Sequence, residues 1–137
     1  MIDFAESRPK KFDAKTVLLV DDDERFLRVL ANELRDRSNN LCVLTAENGE
    51  KAFKILEFKR VDLVVTDLKM PVMNAFQLIS HMKERYPSIP VIVMSSFLDS
   101  EVAIDLRAKG ASQCIDKANI STLKEIILPR APSPISR

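Results

Sequence analysis

The sequence is short of several things that would point away from an ordinary globular domain. It has two cysteines, Cys42 and Cys114, with no metal-ligand spacing between them. Both stand in apolar runs, so they are expected to be buried free thiols in a reducing compartment. Charge of one sign is not in excess: the formal net charge is +1, which gives no general reason to expect direct binding to nucleic acid or to a membrane. No apolar run reaches the roughly 18 residues that a membrane-spanning helix needs. The segment Met1 to Lys15 is mixed polar and lacks the apolar centre of a signal peptide, so a cytoplasmic location is expected. There is no internal repeat.

What is present fits one domain. The chain has 137 residues, 46% hydrophobic and 30% charged, enough apolar matter to bury a core without a disulfide or metal staple. Two stretches read as peripheral. Residues 1–14 form an N-terminal extension in which Arg8, Lys10 and Lys11 make a solvated tail or a basic arm. Residues 129–137 hold Pro129, Pro132 and Pro134 and cannot be helix interior. They read as a proline-rich tail or the start of a linker, leaving 15–128 as the domain.

Within it, short apolar runs alternate with helical patterns. Strands are expected at Thr16–Val20, Leu41–Thr45, Val61–Val65, Ile89–Met94 and Gln113–Asp116. Helices are expected at Glu24–Asp36, Asn48–Lys59, Ala75–Arg85, Asp99–Lys109 and Asn119–Leu128. Asn74 and Gln77 have the spacing of a capping box, and Gly110 stands where a helix C-terminal glycine belongs. The first, third and fourth strands are apolar throughout rather than alternating, the mark of strands covered on both faces. Pattern alone therefore gives an α/β fold with a doubly wound five-stranded parallel sheet. Ligands of such sheets bind outside the carboxyl ends of the strands.

Those ends carry an unusual set of residues. Asp21, Asp22 and Asp23 follow the first strand, Thr66 and Asp67 the third, Ser95 and Ser96 the fourth, and Asp116 and Lys117 the fifth. Carboxylates this close raise one another's pKa unless something compensates. A hard cation held by oxygen ligands would do so, and Mg²⁺ needs only one or two carboxylates plus water and phosphate oxygens. A carboxylate can also act as nucleophile and accept a phosphoryl group, with metal and lysine neutralising charge.

Val20, Asp21 and Asp22, then Asp67 through Met70, Pro71 and Met73, then Val91 through Ser95 and Ser96, then Lys117, together resemble the response-regulator receiver family of two-component signalling. The resemblance runs from about Thr16 to Leu128. It implies a flavodoxin-like three-layer sandwich with strand order 2-1-3-4-5. It implies that Asp67 is the phosphoacceptor, and that Asp22, Asp67 and the backbone carbonyl of Lys69 hold Mg²⁺ (or Mn²⁺), with Asp21 acting through a coordinated water. Ser95, the Ser96 backbone N–H and Lys117 would hold the phosphoryl group. The implied partners are a sensor histidine kinase or phosphotransfer protein, and a downstream output domain or protein. Such a module is not an enzyme beyond its own phosphorylation and aspartyl-phosphate hydrolysis. This chain departs from the family pattern at three positions: Ala75 replaces a usual glycine, Ala118 a usual proline after the lysine, and Cys114 a usual aromatic switch residue. The Lys117–Ala118 bond is accordingly expected to be trans, or else strained, since a non-proline cis bond costs about 3 kcal/mol. Ser95, Phe97 and Cys114 are the candidates for the switch.

Each of these residues also has a plainer explanation. One of Asp22 and Asp23 is expected simply to cap the first helix. Asp67 could be a loop acid, Lys117 a surface lysine and Ser95 a small residue satisfying backbone groups. His81 is expected to be a solvated surface residue, and Met70, Met73 and Met94 loop and core filler. Two other functions fit parts of the pattern. One is an interaction module that has bypassed phosphorylation, suggested by Cys114 and Ala118. The other is a phosphohydrolase resembling the haloacid dehalogenases, with Asp21 as nucleophile and Asp23 as acid; Arg25 does not fit that family's motif.

Overall fold

The computed structural model describes residue 12 and residues 14–37, 40–70, 73–96 and 99–127. Five strands alternate with five helices: β1 (Thr16–Val20), α1 (Glu24–Arg37), β2 (Cys42–Ala46), α2 (Gly49–Phe58), β3 (Leu63–Asp67), α3 (Ala75–Arg85), β4 (Val91–Ser95), α4 (Ser100–Lys109), β5 (Gln113–Asp116) and α5 (Ile120–Ile127). The strands form one sheet in the order β2-β1-β3-β4-β5, and every pairing is parallel. Among the described residues no helix is long and apolar enough to cross a membrane.

The sheet is covered on both faces because successive strand side chains point to opposite sides. Val17, Leu19, Leu63, Val65, Ile92 and Met94 face one way and pack with Leu27, Leu30 and Leu34 of α1 and Leu123, Ile126 and Ile127 of α5. Leu18, Val20, Val64, Val91 and Val93 face the other way, against Leu56 of α2, Leu78, Ile79 and Met82 of α3 and Leu106 of α4. On α2, Ala52 and Leu56 are buried and Ile55 only half-buried.

Several ends differ from the sequence pattern by one or two residues, and each has a local cause. β4 starts at Val91 rather than Ile89, because Pro90 has no N–H for a ladder and the Ile89 N–H turns back to the Tyr86 carbonyl (3.1 Å). β3 starts at Leu63 rather than Val61; Asp62 instead gives its side chain to the Lys15 and Thr16 N–H groups at 3.0 and 2.9 Å. It runs on through Asp67, which pairs with Met94. Asn48 and Asp99 are caps, not first helical residues: their side chains accept from the N–H of Lys51 and Val102. The capping box of Asn74 and Gln77 is formed, and Gly110 closes α4 with φ 126°, a left-handed conformation that glycine adopts without penalty.

One expectation fails. Cys42 is exposed and Cys114 half-buried, so neither is the buried thiol that the apolar runs suggest. Cys42 begins β2, the edge strand, and its side chain falls on an uncovered position of that strand. Phe97 and Leu128, the Arg8–Lys11 stretch and the 129–137 tail lie outside the described residues.

Candidate functional site

The register of the sheet decides which side chains meet. Val20 is level with Thr66, so Asp21 and Asp67 leave neighbouring strands side by side. Asp67 is level with Met94, which puts Ser95 one step further out, and Ser95 is level with Asp116, which does the same for Lys117. The Lys117 N–H is fixed by the Ser95 carbonyl at 2.9 Å. Parallel pairing thus delivers the acids and the lysine to one rim.

The acids are held differently. Asp21 is almost sealed, at 1% exposure, and its Oδ1 accepts from the Asp23 N–H at 2.9 Å. Asp23 accepts the N–H groups of Arg25 and Phe26 at 3.1 and 3.2 Å and so caps α1. Asp67 is 9% exposed and Asp22 is exposed. Carboxylate oxygens of Asp21, Asp22 and Asp67 lie within 4.8 Å of one another. Lys117 Nζ bridges two of the three, 2.7 Å from Asp21 Oδ2 and 3.3 Å from Asp67 Oδ1.

The electrostatics follow from this packing. Burial, and then the Asp21 charge, push the Asp67 carboxyl above its ordinary value, while Lys117 pulls the other way. For Lys117, burial disfavours the ammonium, but the hydrogen bond and charge of Asp21, with Asp67 behind them, more than offset it and raise its pKa.

The site also fits a divalent cation. Among the described residues three carboxylates face a single ammonium, which when all are ionised leaves two negative charges. Asp21 Oδ2 is buried, and among the described residues its close partner is the Lys117 ammonium. All three donors are hard oxygens, and Asp22 keeps one side open to water, as Mg²⁺ requires.

The other candidates fall around this centre. Ser95 is buried at the end of β4 and Ser96 is exposed just beyond. Lys69 is exposed two residues after Asp67. The Lys117–Ala118 bond is trans, since no peptide among the described residues is cis. Cys114 is away from the rim, with Sγ 3.9 Å from the Ala103 carbonyl of α4. His81 is exposed and its ring lies 5.0 Å from that of Phe53. Sequence reasoning missed Phe26, whose ring centroid is 4.6 Å from Lys117 Nζ. Its position three residues after the Asp23 cap, beside the apolar stripe of α1, was the available signal.

The family model for the response regulator receiver domain matches residues 17–128. The chain belongs to the response regulator receiver domain family. Similar proteins include the transcriptional regulatory protein GlrR of Escherichia coli, 39% identical over 101 residues. The DNA-binding transcriptional regulator NtrC of Escherichia coli is 33% identical over the same length. Each match covers 74% of this chain but only 22% and 21% of the relative, so this receiver domain spans about a fifth of their length. Among solved structures, the chemotaxis protein CheY4 of Vibrio cholerae superposes with a TM-score of 0.74 at 26% identity, covering 80% of this chain and 92% of that one. A receiver protein from Pseudomonas putida gives a TM-score of 0.74 at 25% identity, covering 86% and 95%. The fold is the flavodoxin-like one that the sequence resemblance implies, and the domain is a two-component signalling module.

Proposed function

We propose that Asp67 is the phosphoacceptor of this receiver domain and that Mg²⁺ serves it at the Asp21, Asp22 and Asp67 cluster. The carrying observation is the bridge of Lys117 between Asp21 and Asp67 beside three converging carboxylates. Asp67 keeps 9% exposure beside the Lys117 ammonium, whereas Asp21, at 1%, is closed in by Asp23 and Lys117. That closure speaks against Asp21 as a nucleophile, and with it against the phosphohydrolase reading.

In the transfer, an Asp67 carboxylate oxygen forms the new bond to phosphorus. The bond from phosphorus to the donor nitrogen or oxygen breaks, and its electron pair leaves with the donor. Lys117 favours the ionised form of Asp67 beforehand and exchanges that carboxylate for a phosphoryl oxygen afterwards. Ser95 and the Ser96 N–H supply further donors to the phosphoryl group. Asp22, Asp67 and the Lys69 carbonyl would ligate the metal, with Asp21 reaching it through water. Bound Mg²⁺ supplies charge neutralisation at the phosphoryl oxygens.

The phosphodonor is a histidine kinase or phosphotransfer protein. The downstream element is an output domain or a separate protein partner, a reading supported by relatives named as transcriptional regulators. Phe97, outside the described residues, and Cys114, turned towards α4, are the positions through which charge at Asp67 would reach the α4–β5–α5 face.

The test is intact mass after incubation with acetyl phosphate or phosphoramidate. One phosphoryl group should be gained in the wild type, and none without Mg²⁺ or in Asp67→Asn. A gain that survives Asp67→Asn would place the acceptor elsewhere. No gain in the wild type, beside a receiver control that labels, would favour the interaction-module reading.

A further inference from the structure

We propose that Phe26 is a positioning residue for Lys117: its ring holds the ammonium at the rim in the geometry from which Lys117 contacts an oxygen of the phosphoryl group arriving on Asp67. The inference rests on the assignment of Asp67 and Lys117 given above, and extends it to a side chain on α1.

Lys117 Nζ is approached from two sides by carboxylates, at 2.7 and 3.3 Å. A third side is covered by the Phe26 ring, centroid 4.6 Å away. An ammonium has three N–H donors on one face of a flexible stem. The ring attracts it through its negative face but offers no lone pair. It therefore steadies the ammonium without tying down the donors that must pass from Asp67 to the phosphoryl oxygens. An aliphatic residue would fill the space without that attraction, and a polar one would compete for an N–H.

The position of Phe26 is itself well fixed. It is half-buried against the α1 side of the core, and its N–H is taken by the capping Asp23 carboxylate at 3.2 Å. Asp23 also donates its own N–H to Asp21 Oδ1 at 2.9 Å. The turn that places an acid of the site thus also places the ring over the lysine.

The experiment compares Phe26→Leu, Phe26→Met and Phe26→Tyr in the full chain and again with Lys117→Ala. Phosphorylation by phosphoramidate with Mg²⁺ is followed by mass, against donor concentration. Each fold is checked by thermal melt, and the Lys117 ε-CH2 resonances are assigned by NMR. Phe26→Leu and Phe26→Met should lower the limiting rate about three- to tenfold, the span expected for a partly buried cation–π contact, while Phe26→Tyr should stay near wild type. With Lys117→Ala in place, Phe26→Leu should change the rate no further. The ε-CH2 protons should be ring-shifted upfield in wild type and Phe26→Tyr, and not in Phe26→Leu. An unchanged rate in Phe26→Leu and Phe26→Met, an equal loss in the Lys117→Ala background, or no ring shift in the wild type would each overturn the proposal. A wild type that is not phosphorylated, with the ring shift present, would fail the functional assignment itself and remove the role of Phe26 in transfer with it.

Discussion

Asp67 carries its charge where charge is unwelcome. Burial and the neighbouring Asp21 raise its pKa, and Lys117 only partly relieves it. A carboxyl whose folded pKa lies above its unfolded value destabilises the fold as pH rises from below the ordinary 3.8 through the folded value. The metal-free Asp67→Asn protein should therefore melt at a higher temperature than wild type at pH 7, with the gap closing as pH falls below 3.8; melts across pH would show it. Lys117 has the opposite sign. Its raised folded pKa contributes stability that is whole below 10.5 and is lost as pH climbs through the folded value. Replacing Asp22 tests the metal directly. In the wild type, Mg²⁺ at 100 times its Kd should stabilise by about 2.7 kcal/mol, and Asp22→Asn should need markedly more Mg²⁺ for the same rise in melting temperature.

At the scale of elements, the helix and strand ends do more for the site than their interiors. The capping box of α3 and the glycine at the end of α4 are local devices with local consequences. Asn74→Ala removes a cap and should cost about 1 kcal/mol, measured by denaturant midpoint at unchanged slope. Gly110→Ala forces a Cβ into φ 126° and toward the Lys83 side chain, and should cost about 1–3 kcal/mol. By contrast Leu106→Ala, at the one fully buried position of α4, should cost about 2–5 kcal/mol through lost contact and cavity. α4 has little other apolar anchorage, since Ile104 is 65% exposed, so this variant should also loosen amide exchange along that helix before the rest of the domain.

For the whole molecule, the notable feature is that two apolar clusters lie on opposite faces of one sheet. Alternate residues of the same strands supply both, so neither face can be lost without exposing the other. Unfolding is expected to be a single transition. Far-ultraviolet circular dichroism and the fluorescence of Tyr86, the sole tyrosine in a chain without tryptophan, should give coincident curves. Separate midpoints would mean the faces melt independently. The Phe12 N–H bond to the Ile126 carbonyl, 2.8 Å, ties the start of the described chain to α5, so a truncation through Phe12 should loosen α5 first.

The sequence by itself determined the element order, the covered faces and the list of strand-end residues, because period and caps are local properties of neighbouring residues. Asp21, Asp67 and Lys117 were legible as candidates for the same reason: each stands at the end of a segment whose pattern reads as a strand. The exact strand ends were less legible, since hydrogen bonds across the sheet rather than hydropathy set where β3 and β4 begin. Cys42 misled because an apolar run does not reveal whether its strand lies at the edge. Only the tertiary structure decided that one lysine would bridge Asp21 and Asp67 and that the ring of Phe26 would cover it. Those contacts join residues 50 to 96 positions apart, and they depend on the register of parallel strands, which no local pattern in the chain encodes.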